Sequence, residues 1–330
     1  VNQFLKEKKI LFIALEDEYG YHLSIINALK QVGSIVTFFP IEKKNFIYIL
    51  YRTLSKSLFL LRAKKHANFI LKKIETQRFD YIFVIHGFQL PVFFYEKLRK
   101  NNPNAIFINY TWDSIRKTPF KQGLMDILIY FDRAFSFDRG DCEQYKRQKY
   151  LPLFYSPSFN RIEFDKCNFK YDIIFIGSLN TDLRYNLIQK IKKICKKENI
   201  RFYYYLRVAY PYFFKSIFKL KFMWDVRFKP ISTKQIVELY KKSNTVIDLP
   251  GQIQTGLTMR TIETIAIGKK LITTNENIKK ERFYNPDYIN VIDKNNPVID
   301  INFINKNINN NINVDNYSIY FWLMKLFNNE

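Results

Sequence analysis

Apolar and polar residues follow one another along this chain in blocks, not in strict alternation. Lys9–Leu15 (KILFIAL) is an apolar run, EDEYGYH is a polar loop, LSIINALKQVG has apolar residues at helical spacing and stops at Gly33, and SIVTFFP is apolar again. Runs of this kind predict strands buried on both faces, and strand, loop, helix, strand predicts the opening of a parallel doubly wound sheet. Strand-like runs recur at Tyr81–Ile85, Ala105–Asn109 and Arg133–Phe137, and Leu151-Pro152-Leu153 leads out of this first half. A polar linker, Ser156–Phe169, carries Pro157 and alternating charge. The rhythm then restarts, with a strand at Tyr171–Ile176 ending in Gly177-Ser178-Leu179, a helix from Leu183 to Lys197 and a strand at Arg201–Leu206. Two Rossmann-like halves are expected.

The stretch Thr245–Asn275 carries the most chemistry. An apolar run (Thr245–Leu249) meets a Pro-Gly turn and a polar loop bearing Gly256; a helical segment around Glu263, then Gly268, Lys269, Lys270 and a second apolar run follow. A loop feeding a helix N-terminus presents backbone N–H groups to an anion, as α/β proteins do for phosphates. Glu263 sits one or two turns into the helix, where it can accept hydrogen bonds from a sugar hydroxyl. An ordinary crossover with a solvent-facing glutamate is the alternative.

The series from Thr255 to Leu271 (TGLTMRTIETIAIGKKL) resembles the nucleotide-sugar motif of GT-B glycosyltransferases, most closely the family 4-like or CgeB-like enzymes of bacterial surface-polysaccharide synthesis. The resemblance implies a GT-B fold, two Rossmann-like domains facing across a cleft. Its expected boundaries are an acceptor domain at 1–156, a nucleotide-sugar domain at 157–316, and a C-terminal helix at 317–330 crossing back to the first domain. Glu263 matches the glutamate that binds the nucleotide ribose in that family. The first glutamate of the motif, tied to the donor sugar in retaining members, is replaced by Thr255, with Gln254 beside it. That departure leaves the stereochemistry open. The resemblance also implies a diphosphate grip from Gly177-Ser178 and Gly256-Leu257-Thr258, with Arg184 or Arg260 as the cation and Arg207 a weaker candidate. Each of Arg184, Arg260 and Arg207 could instead be a surface arginine.

For the reacting centre, a general base must reach the acceptor hydroxyl. His86 and Asp113 follow the ends of the third and fourth apolar runs, where open α/β sheets place their ligands. In the resemblance His86 matches the donor-lining histidine of retaining members, while Asp113 and His22 fit the base of inverting ones. Tyr19-Gly20-Tyr21-His22 is a thin version of the family's Gly-rich turn before a first-helix histidine. His86 could instead be structural, and Asp113 could cap the next helix.

Composition narrows the classes. The 330 residues and 47% hydrophobic content suit two domains with real cores. Cys142, Cys167 and Cys195 form no CxxC pair and there are three histidines, so reduced thiols, a cytoplasmic setting, no zinc site and no His-rich metal centre are expected. No DxD motif appears, and the GT-B resemblance implies neither a catalytic metal nor a cofactor beyond the nucleotide-sugar donor as substrate. No apolar run reaches membrane-spanning length, and Ile10–Leu15, ended by Glu16-Asp17-Glu18, suits a first strand, not a secretory signal. The net charge of +23 attracts polyanions. Residues 41–78 hold ten Lys/Arg against Glu42 and Glu75, and 207–229 hold six Lys/Arg, Asp225 and eight aromatic residues including Trp224. The first block suits an anionic membrane surface or, as well, a core-facing helix with a solvated basic face; the second could seat in a membrane interface, stack bases or pack as an ordinary insertion.

The leading expectation is a glycosyltransferase at the inner face of a bacterial inner membrane, moving a sugar from a UDP-sugar to a saccharide or lipid-linked acceptor of capsule, O-antigen or lipooligosaccharide. No nucleic-acid partner is expected. The alternatives are a nucleotide-sugar epimerase or phosphorylase-like enzyme on the same fold, or a basic nucleic-acid-binding protein without a recognisable module.

Overall fold

The computed structural model describes residues 4–42, 56–117, 121–162, 169–179, 181–208, 212–213, 225–251, 253–307 and 312–328. Cys167, Trp224 and most of both basic blocks' aromatic interleaving (43–55, 209–211, 214–224) lie outside them. The chain forms two compact units, one of residues 1–153, 253–256 and 319–330, the other of 154–252 and 257–318.

In the first unit β1 (Lys9–Ala14), β2 (Ile35–Pro40), β3 (Tyr81–Ile85), β4 (Ile106–Thr111), β5 (Arg133–Ser136) and β6 (Lys149–Tyr150) make one sheet in the order β2-β1-β3-β4-β5-β6. Every pairing is parallel. The apolar runs are continuous because both faces are covered. Leu11, Ile13, Ile82 and Val84 enter one core with Ile70 of α2 (Lys56–Lys73), Phe94 and Leu98 of α3 (Val92–Asn101) and Leu124 of α4 (Lys121–Leu128). On the other face Phe83 stacks on Phe12 and meets Trp322 and Phe327 edge-on, both from the C-terminal helix Ile319–Phe327. Tyr110 also packs on Trp322, with ring centroids 4.9 Å apart. The C-terminal helix is thus a layer of the first unit, anchored by a fully buried indole.

In the second unit β7 (Tyr171–Leu179), β8 (Phe202–Val208), β9 (Val226–Arg227), β10 (Ser243–Asp248), β11 (Lys270–Thr273) and β12 (Ile289–Val291) are parallel in the order β12-β11-β10-β7-β8-β9. Counted from β7, that is the 3-2-1-4-5-6 order of dinucleotide-binding folds, with its switch point between β7 and β10. The first sheet switches direction between β1 and β3. Between β5 and β6 lies α5 (Arg139–Gln144). In the second unit α6 (Asp182–Lys197) buries Ile188, Ile191 and Cys195, while α7 (Thr233–Lys241) starts with a Ser232–Gln235 capping box. Next come α8 (Met259–Ala266) and α9 (Ile301–Asn305), which makes the C-terminal helix α10.

The sequence expected residues 253–256 in the second half. They belong to the first unit, because Thr255 docks on Asp138 through both its backbone N–H (2.9 Å to Oδ2) and its hydroxyl.

Candidate active site

The loops after β1 and β3 flank the switch point of the first sheet. Gly20, at φ 79°, turns the chain into α1 (Tyr21–Gln31), and Asp17 organises the turn. Its carboxylate accepts the backbone N–H groups of Tyr19, Tyr21 and His22 at 2.9–3.0 Å and lies 2.8 Å from His22 Nδ1. A negative charge is favoured at this helix end. Burial works against the Asp17 charge, but the hydrogen bonds from His22 and Tyr21 win and hold its carboxyl below the ordinary range. Asp17 N–H also points at Nδ1, at 3.3 Å, but the carboxylate contact is the shorter and charge-assisted of the two, which puts the imidazole proton on Nδ1 and leaves Nε2 as the basic atom. His22 is buried and stacks on Phe38, and its Nε2 has no hydrogen-bond partner among the described residues. An oriented base with an aspartate behind it is the arrangement of a general-base dyad.

His86 ends β3 in a strained turn. Its φ is 64° and that of Gly87 is 85°. Both carbonyls are held: His86 O accepts from Asn109 Nδ2 (3.0 Å) and Gly87 O from the buried Tyr95 hydroxyl (2.7 Å). Left-handed backbone at a non-glycine costs energy and persists only where the surroundings fix it. The imidazole is buried between Phe88 and Trp112, with Nε2 3.4 Å from Asp113 Oδ2. Asp113, with 82% of its side chain exposed, is a weaker orienter than Asp17.

A second polar centre in this unit was missed by sequence reasoning. Asp138 and Asp141 are both fully buried, at the start of α5. Arg116 reaches Asp138 (2.7 Å) and Asp141 (3.0 Å), and Asp141 also takes the Ser114 hydroxyl and the Ile115 N–H. Thr255 completes it on Asp138 and accepts from Gly140 N at 3.0 Å. Gln254 Nε2 donates to Gly256 O, and a Cβ on Gly256 would fall 2.4 Å from Phe137 O, so only glycine fits there. The Asp138-Arg139-Gly140-Asp141 run after a strand was the available signal, but its partners lie 22–117 residues away.

In the second unit the switch point is spanned by Arg184, from the first turn of α6. Its two terminal nitrogens donate to Ser178 O and Leu249 O, each at 2.6 Å, joining the C-terminal ends of β7 and β10. Gly177 pairs with Leu206 and Ser178 with Arg207, which puts Arg207 at the same edge on β8. The N-terminus of α8 holds a carboxylate of the protein itself: Asp248, ending β10, accepts the Thr258 and Thr261 hydroxyls at 2.6 Å. Thr258 also caps the helix through Thr261 N, and Leu257 is buried beside it.

Glu263 is not solvent-facing, contrary to the plainer of its two expectations. It is fully buried, with Arg260 Nη1 at 3.0 Å, and Arg260 also reaches the buried Tyr240 hydroxyl. Arg260 is likewise buried, so this pair forms a packed joint between α7 and α8.

Cysteine chemistry finds little support, since burial pushes the Cys142 thiol up to about 11 and that of Cys195 up to about 12. Among the described residues no group of three His, Cys, Asp or Glu side chains could hold a metal ion.

No protein-family model and no curated protein sequence matches the chain. Solved structures do. OtsA in its apo form matches at a TM-score of 0.58 and 10% identity, over 98% of this chain and 92% of that one. The catalytic domain of starch synthase IV from Arabidopsis thaliana, bound to ADP and acarbose, matches at 0.57 and 9%, over 87% and 88%. The UDP-GlcNAc 2-epimerase of Methanocaldococcus jannaschii, in complex with UDP-GlcNAc and UDP, matches at 0.53 and 12%, over 96% and 99%. At such identities the likeness shows the fold alone: two Rossmann-like units, each on a parallel six-stranded sheet, in the GT-B architecture.

Proposed function

We propose that this protein is a glycosyltransferase that moves a sugar from a nucleotide sugar, a UDP-sugar first among them, to a hydroxyl of a saccharide or lipid-linked acceptor. The observation that carries this reading is the Asp17–His22 dyad at the switch point of the first sheet. His22 Nε2 takes the acceptor hydroxyl proton as that oxygen bonds to the anomeric carbon. The anomeric C–O bond breaks, and the nucleoside diphosphate leaves with its electron pair. One displacement of this kind inverts the anomeric centre, and a threonine at 255 in place of the motif's glutamate agrees with inversion.

His86 and Asp113 line the same sheet edge and position the reacting sugars. On the donor side, Arg184 at the β7/β10 switch point is the cation for the diphosphate, with Gly177 and Ser178 beside it and Arg207 on the neighbouring strand. Asp248 already fills the N-terminus of α8, so Gly256, Leu257 and Thr258 contribute shape more than charge. Gln254 and Thr255 hold the loop, Arg260 packs α8, and Glu263 keeps Arg260 on Oε2 while its other carboxylate oxygen serves the ribose.

The outward face of α2 supports a place at an anionic inner-membrane surface in polysaccharide or lipopolysaccharide assembly. Leu58, Leu60, Leu61 and Phe69 are exposed among Lys64, Lys65, Lys72 and Lys73. No described helix is long and apolar enough to cross a membrane.

Calorimetric titration with UDP, GDP, dTDP and CMP, followed by incubation with the matching nucleotide sugars, tests the reading. Nucleotide binding and acceptor-dependent release of nucleoside diphosphate are expected, with an inverted glycoside as product. Binding by none of the four would overturn it, and a donor recovered as its epimer would move the protein to the epimerase class.

A further inference from the structure

The first unit holds a small pocket outside the residues assigned above. It lies where β2 ends and the turn after β3 begins, under the first turns of α2, with a volume of about 80 Å³. Ile41, Phe59 and Ala63 make its apolar wall. Arg62, Glu42 and Gln89 bring polar groups to it, and His66, also in the wall, is anchored by Nε2 donating to Pro40 O at 2.8 Å.

Gln89 gives the pocket its polarity. It sits in the tight turn closed by Leu90 N on Gly87 O at 3.0 Å, which begins one residue after His86. Its side-chain Oε1 is shut off from solvent and has no hydrogen-bond partner among the described residues. A buried amide oxygen without a donor is costly, and a ligand N–H would satisfy it. Arg62 and Glu42 put one cation and one anion in the wall, which disfavours a guest of net charge. A neutral group with one N–H, one carbonyl and a methyl matches all three features: N–H to Gln89 Oε1, carbonyl to the Arg62 guanidinium, methyl against Ile41, Phe59 and Ala63.

We infer that this pocket receives the N-acetyl group of a 2-acetamido sugar, which specifies the acceptor as an N-acetylhexosamine. Calling the guest an acceptor rests on the glycosyl-transfer reading; the pocket's preference for an acetamido group does not. Through the turn 87–90, the group that reads the acceptor is tied to the strand end that carries His86.

The test uses the full chain and two probes, the methyl glycosides of N-acetylglucosamine and of glucose, with binding followed by saturation-transfer NMR. The acetamido glycoside should bind about tenfold more tightly, the difference one buried hydrogen bond and a methyl supply. Its N-acetyl methyl should receive the strongest saturation. Gln89→Met and Ala63→Leu, checked for folding by thermal melting, should each abolish the preference. Equal binding of the two glycosides, or a preference that survives in folded Gln89→Met protein, overturns the assignment. Titration with UDP on the same sample separates the two readings. UDP binding without acetamido preference overturns the pocket and leaves transfer standing; acetamido preference in a protein that binds none of the nucleotides overturns transfer and leaves the pocket.

Discussion

His22 Nδ1 and Asp17 Oδ2 stand 2.8 Å apart, and the same carboxylate binds the first backbone N–H groups of α1. One residue therefore both starts the helix and orients the ring upon it. His22→Gln keeps a hydrogen-bonding side chain of similar reach but removes the base. Acceptor-dependent release of nucleoside diphosphate should fall about 10²–10⁴-fold, with nucleotide affinity unchanged. Asp17→Asn should also lower turnover, because an amide can donate to Nδ1 and move the proton to Nε2. Comparable turnover in wild type and both variants would remove the dyad from the mechanism.

Thr255 and Asp138 are 117 residues apart in sequence and bonded twice. Asp138→Ala removes a fully buried carboxylate, strips the half-buried Arg116 of one of its two partners and frees the 253–256 loop. A loss of about 3–5 kcal/mol in stability is expected by chemical denaturation. Thr255→Val removes only the hydroxyl and should cost about 1–2 kcal/mol. The ratio matters: equal costs would mean that Arg116 does not depend on Asp138.

Glu263→Ala distinguishes a packing role from a ribose role. It leaves Arg260 buried without its carboxylate. Stability should fall by about 3–5 kcal/mol. Glu263→Gln, which can still accept from Arg260, should fold better. If Glu263 also meets the ribose, nucleotide affinity in the folded Gln variant should drop by about 1–3 kcal/mol, measured by calorimetry. Unchanged affinity would confine Glu263 to packing.

These cases also mark where the sequence stops being informative. Strands such as Ile10–Leu15 and Tyr81–Ile85 are legible because burial on both faces leaves no room for polar residues, and β1 and β3 lie there. The two- and three-residue strands β9 and β12 have too few positions to show a pattern. His22 could be picked out by its place after a strand and a glycine, but its partner Asp17 looked like one more acid in EDEYGYH. Glu263 carried a recognisable motif position, yet its burial depends on Tyr240 and Arg260, which no local spacing reveals. The Asp138 centre was illegible for the same reason: its bonds close loops of 22 to 117 residues.

Gly87 and Gly20 both have positive φ, at 85° and 79°, but their surroundings differ. A Cβ on Gly87 would lie 2.4 Å from the Tyr95 hydroxyl and 2.7 Å from Val84, whereas one on Gly20 meets nothing nearer than 4.0 Å. Gly20→Ala should therefore cost only the backbone penalty, about 1–2 kcal/mol. Gly87→Ala adds overpacking, about 1–3 kcal/mol more, and should disturb the His86 turn. Melting curves and turnover together check this. Equal stability of the two variants would mean that the Tyr95 contact gives way without cost.

Lys269 just before β11 and Lys270 at its start both have buried side chains, an unusual place for two cations. Lys269 donates to Ser243 O at 2.7 Å and lies over the Phe169 ring, and Lys270 reaches the last carbonyls of α9. Burial, with Lys270 adding repulsion, pushes the Lys269 ammonium down to about 7 from 10.5. Burial takes Lys270 down to about 8 from the same 10.5. Between about 7 and 10.5 the unfolded chain therefore holds more protons than the folded one, so stability rises with pH across that window and levels off below it. A neutral amine still donates to Ser243 O, so the fold keeps that bond at the alkaline end. Lys269→Met loses the bond, at about 1–3 kcal/mol, but also loses its share of the pH dependence. Denaturant midpoints measured from neutral to alkaline pH should climb for the wild type and climb less for the variant. Parallel curves would show that Lys269 remains charged in the folded protein.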